Sequence, residues 1–333
     1  MDSAAGIGFV CCVESGYLES QTVRMVESLR KYGGRFANAP VVAVSPRSGP
    51  PLSKVSRALL KSHGVDHISR RGVDQYAWFN FYNKPLALVY AEEHLQTELV
   101  GFLDSDLLIV NEPEKLQIAA DEDFLAFPVE CKEMGTTGSA GPYEELWRAS
   151  CKVAGVELDT LPWVVTAQTH ERIRLYFNSG IFVYRRACGF AKEYLRLCRA
   201  LLDSRVGTRA EGYGLGFKEQ VSMALAVMTL GLRWRSLPYS HNYPMSTATH
   251  DHWYDLENLR NARVVHYHDA MWPGFWATFL RCMQAAHPDV ANWLSALGPM
   301  KNDAPAPSRL VSRFLRTART WQAKRYLDSC TMY

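Results

Sequence analysis

The segment Phe102-Leu103-Asp104-Ser105-Asp106-Leu107-Leu108 places two carboxylates two residues apart inside an apolar run. In extended backbone, residues i and i+2 share a face, so the spacing predicts that Asp104 and Asp106 turn toward one divalent cation. Burying aspartates among leucines is costly unless a cation or hydrogen bonds compensate. A second run, Val264-Val265-His266-Tyr267-His268-Asp269, repeats the spacing with imidazoles. Either His266 or His268 would add a nitrogen ligand. An Asp/Asp/His set with open positions suits Mn²⁺ or Mg²⁺ carrying phosphate oxygens.

Such residues work together only if the fold brings them to one edge. Residues 6–13 form a short continuous apolar run, the pattern of a strand buried on both faces. A helix from about Leu18 carries Val23, Val26 and Leu29 on one face and stops at Gly33-Gly34. Strands are predicted over 41–45 and 65–68, with a helix between them capped by Ser53 and ended at Gly64. A helix over 84–95 and a strand over 98–103 lead into Asp104, and the apolar run resumes over 107–110. Residues 124–129 read as a strand, 130–172 as an insertion with one helix near 143–153, and 175–184 as a strand. Helices over 189–202 and 217–230 precede a last strand over 263–268. This alternation predicts an α/β fold with a doubly wound, mostly parallel sheet. Ligands in such sheets bind beyond the carboxyl ends of the strands, where both the aspartates and the histidines fall.

The 333 residues are 47% hydrophobic and 21% charged with a net charge of +3, a globular composition that excludes extensive disorder. The longest uncharged apolar stretch, 221–232, falls short of the ~20 residues that a bilayer-spanning helix needs. No basic residue precedes Arg24, so a secretory leader is not expected and a cytoplasmic location is. The eight cysteines contain no C-x-x-C pair and read as reduced core residues rather than a zinc or disulfide framework.

Charge is uneven. Residues 301–333 carry seven basic and two acidic groups, a net of +5, which leaves −2 on the rest. Two prolines make 303–308 a linker, and the chain beyond it is helix-competent. At 100° per residue, Leu310, Val311, Phe314, Leu315 and Trp321 fall on one side and Arg309, Arg313, Arg316 and Arg319 on the other. The pattern predicts contact with an anionic membrane surface through 309–325, or a helix packed on the body with its arginines in water. Nucleic acid is not expected as a partner, because the body is mildly acidic and no reader motif is present.

The order Asp104-Ser105-Asp106, Phe177-Asn178-Ser179-Gly180, Glu219-Gln220, His266-Tyr267 and Pro273 resembles the retaining glycosyltransferases of family 8, over roughly residues 6–280. The resemblance implies a GT-A fold, a UDP-sugar donor and a Mn²⁺ ion, with Mg²⁺ as the alternative. It implies that Asp104, Asp106 and His266, with His268 as rival, hold the metal, with Ser105 between the aspartates. Val13, Glu14, Ser15 and Tyr17 are implied to contact uracil and ribose, and Lys84 the donor sugar or phosphate. Asn178, Ser179 and Gly180 are implied to lie beside the donor sugar, where glycine lets the backbone approach closely. Glu219 and Gln220 would flank the anomeric carbon and stabilise positive charge developing there. On this resemblance residues 1–300 form one catalytic domain, with a donor-binding part over about 1–130 and an acceptor-side part over about 130–300, followed by the 301–333 segment.

The late family motif H-x-x-G-x-x-K-P-W is altered, with Asp269 for the glycine, Trp272 for the lysine and Gly274 for the tryptophan. The diphosphate-binding lysine is therefore missing at its place, and leaving-group stabilisation would fall to the metal alone or to a basic residue elsewhere, such as Lys218 or Arg185. That loss leaves open a catalytically inactive nucleotide-sugar-binding protein of the same fold. A sugar-1-phosphate nucleotidyltransferase would need a glycine- and basic-rich loop after the first strand, which Glu14-Ser15-Gly16-Tyr17 is not. A haloacid-dehalogenase-type phosphatase would place D-x-D after the first strand and continue into Gly-Thr, whereas here Leu107-Leu108 follows. Acceptor contacts are expected in 130–172 and 240–253, with Trp147, Trp163, Tyr243, Trp253 and Trp272 as candidate stacking surfaces. The acceptor itself, a glycan, lipid-linked or small molecule, stays open.

Overall fold

Strand β1 (Ile7–Cys12) is apolar at every ordinary side-chain position because packed helices cover both its faces. Val10 joins one core, while Phe9 and Cys11 join the other, as the two-residue period of a strand requires. The computed structural model describes residues 6–70, 74–138, 141–207, 215–248 and 255–333. After β1 come α1 (Tyr17–Tyr32), β2 (Val41–Ser45), α2 (Lys54–Ser62), β3 (Val65–Ser69), α3 (Asn83–Glu92), β4 (Leu99–Leu103), β5 (Leu107–Ile109) and β6 (Phe124–Pro128). The middle of the chain holds α4 (Glu144–Ala154), β7 (Trp163–Val165), β8 (Arg172–Arg174), β9 (Phe177–Arg185), α5 (Phe190–Asp203), β10 (Val206–Gly207) and α6 (Gly216–Thr229). The last part holds β11 (Trp234–Ser236), β12 (Tyr243–Pro244), α7 (Leu256–Asn261), β13 (Val264–His266), α8 (Trp276–Ala286), α9 (Pro288–Leu297), α10 (Ala306–Asp328) and β14 (Thr331–Met332).

The central sheet has the order β11-β6-β9-β4-β1-β2-β3, with β9 antiparallel to both its neighbours and every other pair parallel. This is the expected α/β, doubly wound and mostly parallel sheet. One of its faces packs on α3, α5 and α6 through Leu88, Tyr194, Leu197, Val221 and Leu225. The other packs on α1 through Met25, Val26 and Leu29. Ser53 caps α2 by accepting from the Ser56 amide at 3.0 Å.

Two registers matter for function. β4 pairs antiparallel with β9, Leu103 opposite Ile181, so the Asp104 amide donates to the Gly180 carbonyl at 2.8 Å. β5 leaves the central sheet and pairs antiparallel with β13, which sets His266 opposite Leu107 and so next to Asp106. The second sheet, β12-β13-β5, buries its own core against α8 and α9 through Leu108, Val265, Tyr267, Phe279 and Leu294.

The insertion holds the expected helix, α4, and also the short antiparallel pair β7 and β8, which the sequence pattern did not single out. The tail is helical as expected but does not divide cleanly. Leu315, Arg316 and Arg319 line a cavity against the body, and Arg319 donates to the Ser48 carbonyl at 2.6 Å. Leu310, Phe314 and Trp321 are 69%, 74% and 58% exposed, so the apolar and basic sides of the helical wheel are mixed. Tyr326 fixes the end of α10 by donating to the Leu202 carbonyl at 2.8 Å, and β14 pairs with β10. No described helix is long and apolar enough to cross a membrane. All eight cysteines are free.

Candidate active site

A cavity of about 510 Å³ opens at the carboxyl ends of the central strands, lined by Lys84, Asp104, Asp106, Asn178, Gln220 and His266, among others. Asp104-Ser105-Asp106 is not the extended segment that the spacing predicted. It forms a turn between β4 and β5, closed by the Leu107 amide donating to the Asp104 carbonyl at 3.3 Å. The two carboxylates line the same cavity with different partners. Asp104 Oδ2 accepts from Lys84 Nζ at 2.7 Å, while Asp106 faces the histidines.

Asp106 Oδ1 is 3.3 Å from His266 Nε2, and its Oδ2 is 3.8 Å from His268 Nδ1. The two imidazoles stack at 3.9 Å with 19° between their planes. His268 reaches this place with a φ of 50°, a left-handed backbone that non-glycine residues adopt at a cost. Ligand atoms of Asp106, His266 and His268 all lie within 4.8 Å of one another, so one cation could be held by all three. His266 and His268 are thus neighbours in one cluster, and Asp104 approaches it paired with Lys84. A carboxylate with two imidazole nitrogens can hold a divalent cation, so the donor set fits the class of ion expected from the sequence.

Electrostatics bind the cluster together. Burial works against the charged forms of Asp106 and His266, but each stabilises the other, so the carboxyl is held well below its usual range and the imidazole above its own. His268 goes the other way, held neutral by burial and by His266. Burial raises the Asp104 carboxyl despite Lys84 beside it. Lys84 stays charged because Asp104 and Glu219 outweigh its own desolvation.

Lys84 Nζ also donates to Ser179 Oγ at 2.9 Å, and Ser179 Oγ donates to Glu219 Oε2 at 3.0 Å. Glu219, fully buried, accepts a further hydrogen bond from the Tyr194 hydroxyl. It lies behind Ser179, whereas Gln220 lines the cavity with its carbonyl accepting from Tyr176. Asn178 Oδ1 accepts from the Gly180 amide at 2.8 Å, and the register of β6 against β9 shifts at this point. That irregularity tilts Asn178 and Ser179 toward the cavity, a frequent device beside functional sites.

The nucleoside-side residues are also placed. Glu14 is held by Arg47 Nη2 at 2.8 Å and Asn83 Nδ2 at 2.8 Å, and it lines a second cavity with Ser15 and Tyr17. Val13 is buried, its carbonyl accepting from Ser45 Oγ at 2.7 Å. Ser105 points inward and donates to the Cys12 carbonyl at 2.8 Å, tying the aspartate turn to β1.

Two expectations need correction. Neither Lys218 nor Arg185 replaces the missing lysine. Lys218 is buried, donating to the carbonyls of Leu201 and Val206, and Arg185 pairs with Glu98 at the opposite end of β4. Trp147 and Tyr243 are core side chains, and Trp147 donates to the Met134 carbonyl at 2.8 Å. Trp163 packs beneath the guanidinium of Arg174 at 4.1 Å, and Trp272 packs edge-on against Tyr17 at 4.9 Å. Trp253 lies outside the described residues.

Sequence reasoning missed Glu130 and Asn242. Glu130 lines the cavity and accepts from Asn178 Nδ2 at 3.1 Å, and Asn242 Oδ1 faces His266 Nδ1 at 3.1 Å. The signal for Glu130 was its place just after β6, which runs parallel to β4. Asn242 lies in the 240–253 segment, but no motif or period singles out the residue itself.

Among solved structures the chain is similar to the bifunctional glycosyltransferase WbbM, with 14% identity and a TM-score of 0.48, over 85% of this chain and 50% of that one, so it spans half the length of WbbM. It is similar at 14% identity and a TM-score of 0.48 to the galactosyltransferase LgtC in complex with donor and acceptor sugar analogs, over 84% of this chain and 95% of that one. It is also similar to the glycosyltransferase GlyE of Streptococcus pneumoniae TIGR4, with 13% identity and a TM-score of 0.47 over 90% and 66%. Among curated proteins none matches. A family described as the Rhodobacterales glycosyltransferase domain matches residues 9–231, a span that contains Lys84, the aspartate turn, Asn178 and Gln220. The match covers more than half of the chain, which therefore belongs to that family and is a glycosyltransferase.

Proposed function

We propose that this glycosyltransferase is metal-dependent and moves a hexose from a UDP-sugar to a glycan, lipid-linked or small-molecule acceptor, with retention at the anomeric carbon. The observation that carries the reading is the convergence of Asp106, His266 and His268 beside the Lys84–Asp104 pair at the mouth of one cavity. A divalent cation held by that cluster would neutralise charge on the departing nucleoside diphosphate. Lys84 adds a fixed positive charge where the altered late motif lacks its lysine, and Ser179 and Glu219 hold its ammonium in place. Gln220 uses its carbonyl on Tyr176 and keeps its amide nitrogen for a sugar hydroxyl, while Asn178 and Glu130 form the facing wall. Donors and acceptors fixed before the substrate arrives are what stabilise charge developing at a sugar carbon. Retention rests on the family resemblance.

The outward face of α10 supports peripheral contact with an anionic membrane surface on the cytoplasmic side, since Leu310, Val311, Phe314 and Trp321 are exposed there beside Arg309 and Arg313. Such a contact favours a lipid-linked or glycan acceptor. The test of the reading is a panel of nucleotide-sugars incubated with the protein and Mn²⁺, with and without chelator, scored for nucleotide release. Chelator-sensitive release from one UDP-sugar is the expected result. Absence of release, together with absence of metal-dependent UDP binding, would leave an inactive relative of the family.

A further inference from the structure

The second cavity, of about 440 Å³, lies where β1 and β2 end, and α10 forms its outer wall. Asn80 lines it, while Phe81 and Lys84 line the first cavity, so the two are neighbours across the start of α3. Its inner wall presents Glu14, Ser15, Tyr17 and Arg47, and α10 adds Leu315, Arg316 and Arg319. Ser15 Oγ and Asn83 Oδ1 are shielded from solvent and have no hydrogen-bond partner, and Asn83 Nδ2 donates to Glu14. Of the two, Ser15 lines this cavity, and its unpaired hydroxyl is a cost that a ligand reaching it would repay.

The chemistry of the walls selects the ligand. Three guanidiniums offer donors and Glu14, held by Arg47, offers an acceptor, so the complement is a group bearing both carbonyl acceptors and hydroxyl donors. The exposed ring of Tyr17, steadied edge-on by Trp272, offers a flat surface at the rim. A pyrimidine nucleoside presents all three complements, namely carbonyl acceptors, hydroxyl donors and a ring face.

We propose that α10 is a wall of the donor's nucleoside pocket, with Arg316 and Arg319 contacting the uridine of UDP. The inference rests on the UDP-sugar reading above and adds to it a binding role for the C-terminal helix. The tail is then part of the enzyme's substrate site as well as a surface segment.

The experiment is calorimetric titration of the full chain in Mn²⁺ with UDP and, separately, with inorganic pyrophosphate. Arg316→Ala/Arg319→Ala removes the guanidinium donors, and Leu315→Trp fills the cavity without changing charge. UDP binding is expected to weaken about tenfold or more in each variant, as loss of one or two charge-assisted hydrogen bonds would give, with pyrophosphate binding unchanged. Unchanged UDP affinity in both variants, or equal losses for UDP and pyrophosphate, would overturn the role of α10 and leave the donor reading standing. A wild-type chain that binds pyrophosphate and no UDP overturns the donor reading and this inference with it. Should the double arginine variant not fold, Leu315→Trp alone decides.

Discussion

A Cβ atom placed on Gly180 would lie 2.7 Å from Cε1 of His266 and 2.9 Å from Oδ1 of Asn178. The glycine of the Asn178-Ser179-Gly180 segment is therefore required by the histidine that follows it 86 positions later. No heavier residue fits without moving the imidazole that faces Asp106. Gly180→Ala is expected to leave the fold intact and to weaken Mn²⁺ binding by about 10–100-fold, the range seen when a group orienting a metal ligand is disturbed. Metal titration beside a circular-dichroism melt checks this, and unchanged affinity would show that His266 does not ligate.

Lys84 and Asp104 form a pair whose members cannot be judged singly. Removing the ammonium leaves a buried carboxylate without its partner, and removing the carboxylate leaves the ammonium with Ser179 and Glu219. Lys84→Met is expected to lower donor turnover by about 100-fold or more and to destabilise the fold by about 3 kcal/mol. In a double-mutant cycle with Asp104→Asn the stability losses should be less than additive. Additive losses would mean that the 2.7 Å contact carries no coupling.

Much of the fold was legible because its signals are local. The apolar run of β1, the cap at Ser53 and the stop at Gly33 are fixed by neighbours in sequence, and each lies where the pattern put it. The site was legible as a set of residues but not as a geometry. The aspartates were read as one extended face, whereas the chain turns there to move from the central sheet into the β5–β13 pair. That turn gives Asp104 and Asp106 different partners and depends on a pairing with residues more than 150 positions away. Lys218 and Arg185 do not replace the missing lysine for the same reason, since only tertiary packing shows that both point elsewhere. Asn242, with no periodic or motif signal, was beyond reach.

His241 provides a pH test away from the site. It is fully buried, and its Nε2 accepts from the Lys115 amide at 3.2 Å, which requires the neutral ring. Burial, reinforced by Arg263 and Lys115 against Glu114, pushes it down to about 4. The unfolded chain takes up a proton near pH 6.5 while the folded one does not, so this group lowers stability as the pH falls from 6.5 to 4 and has no effect above. The loss reaches about 3 kcal/mol at most. His241→Gln keeps an acceptor for Lys115 and does not titrate. Its Tm should fall less steeply than that of the wild type across this window, and parallel curves would contradict the assignment.

The outer face of α10 separates membrane contact from donor binding. Phe314 and Trp321 are exposed and line neither cavity, whereas Leu315, Arg316 and Arg319 line the second one. Burying a large apolar side chain in an interface contributes about 1.5–3 kcal/mol, so Phe314→Glu/Trp321→Glu should reduce binding to anionic vesicles by well over tenfold. Added salt should weaken the wild-type interaction, since Arg309 and Arg313 act through a screened field. Donor hydrolysis in solution should be unaffected by the two substitutions. Co-sedimentation with phosphatidylglycerol vesicles, run beside the hydrolysis assay, reads both properties on one preparation. Vesicle binding that survives the substitutions would remove α10 as the membrane contact, and hydrolysis lost along with vesicle binding would show that the two faces of the helix do not act separately.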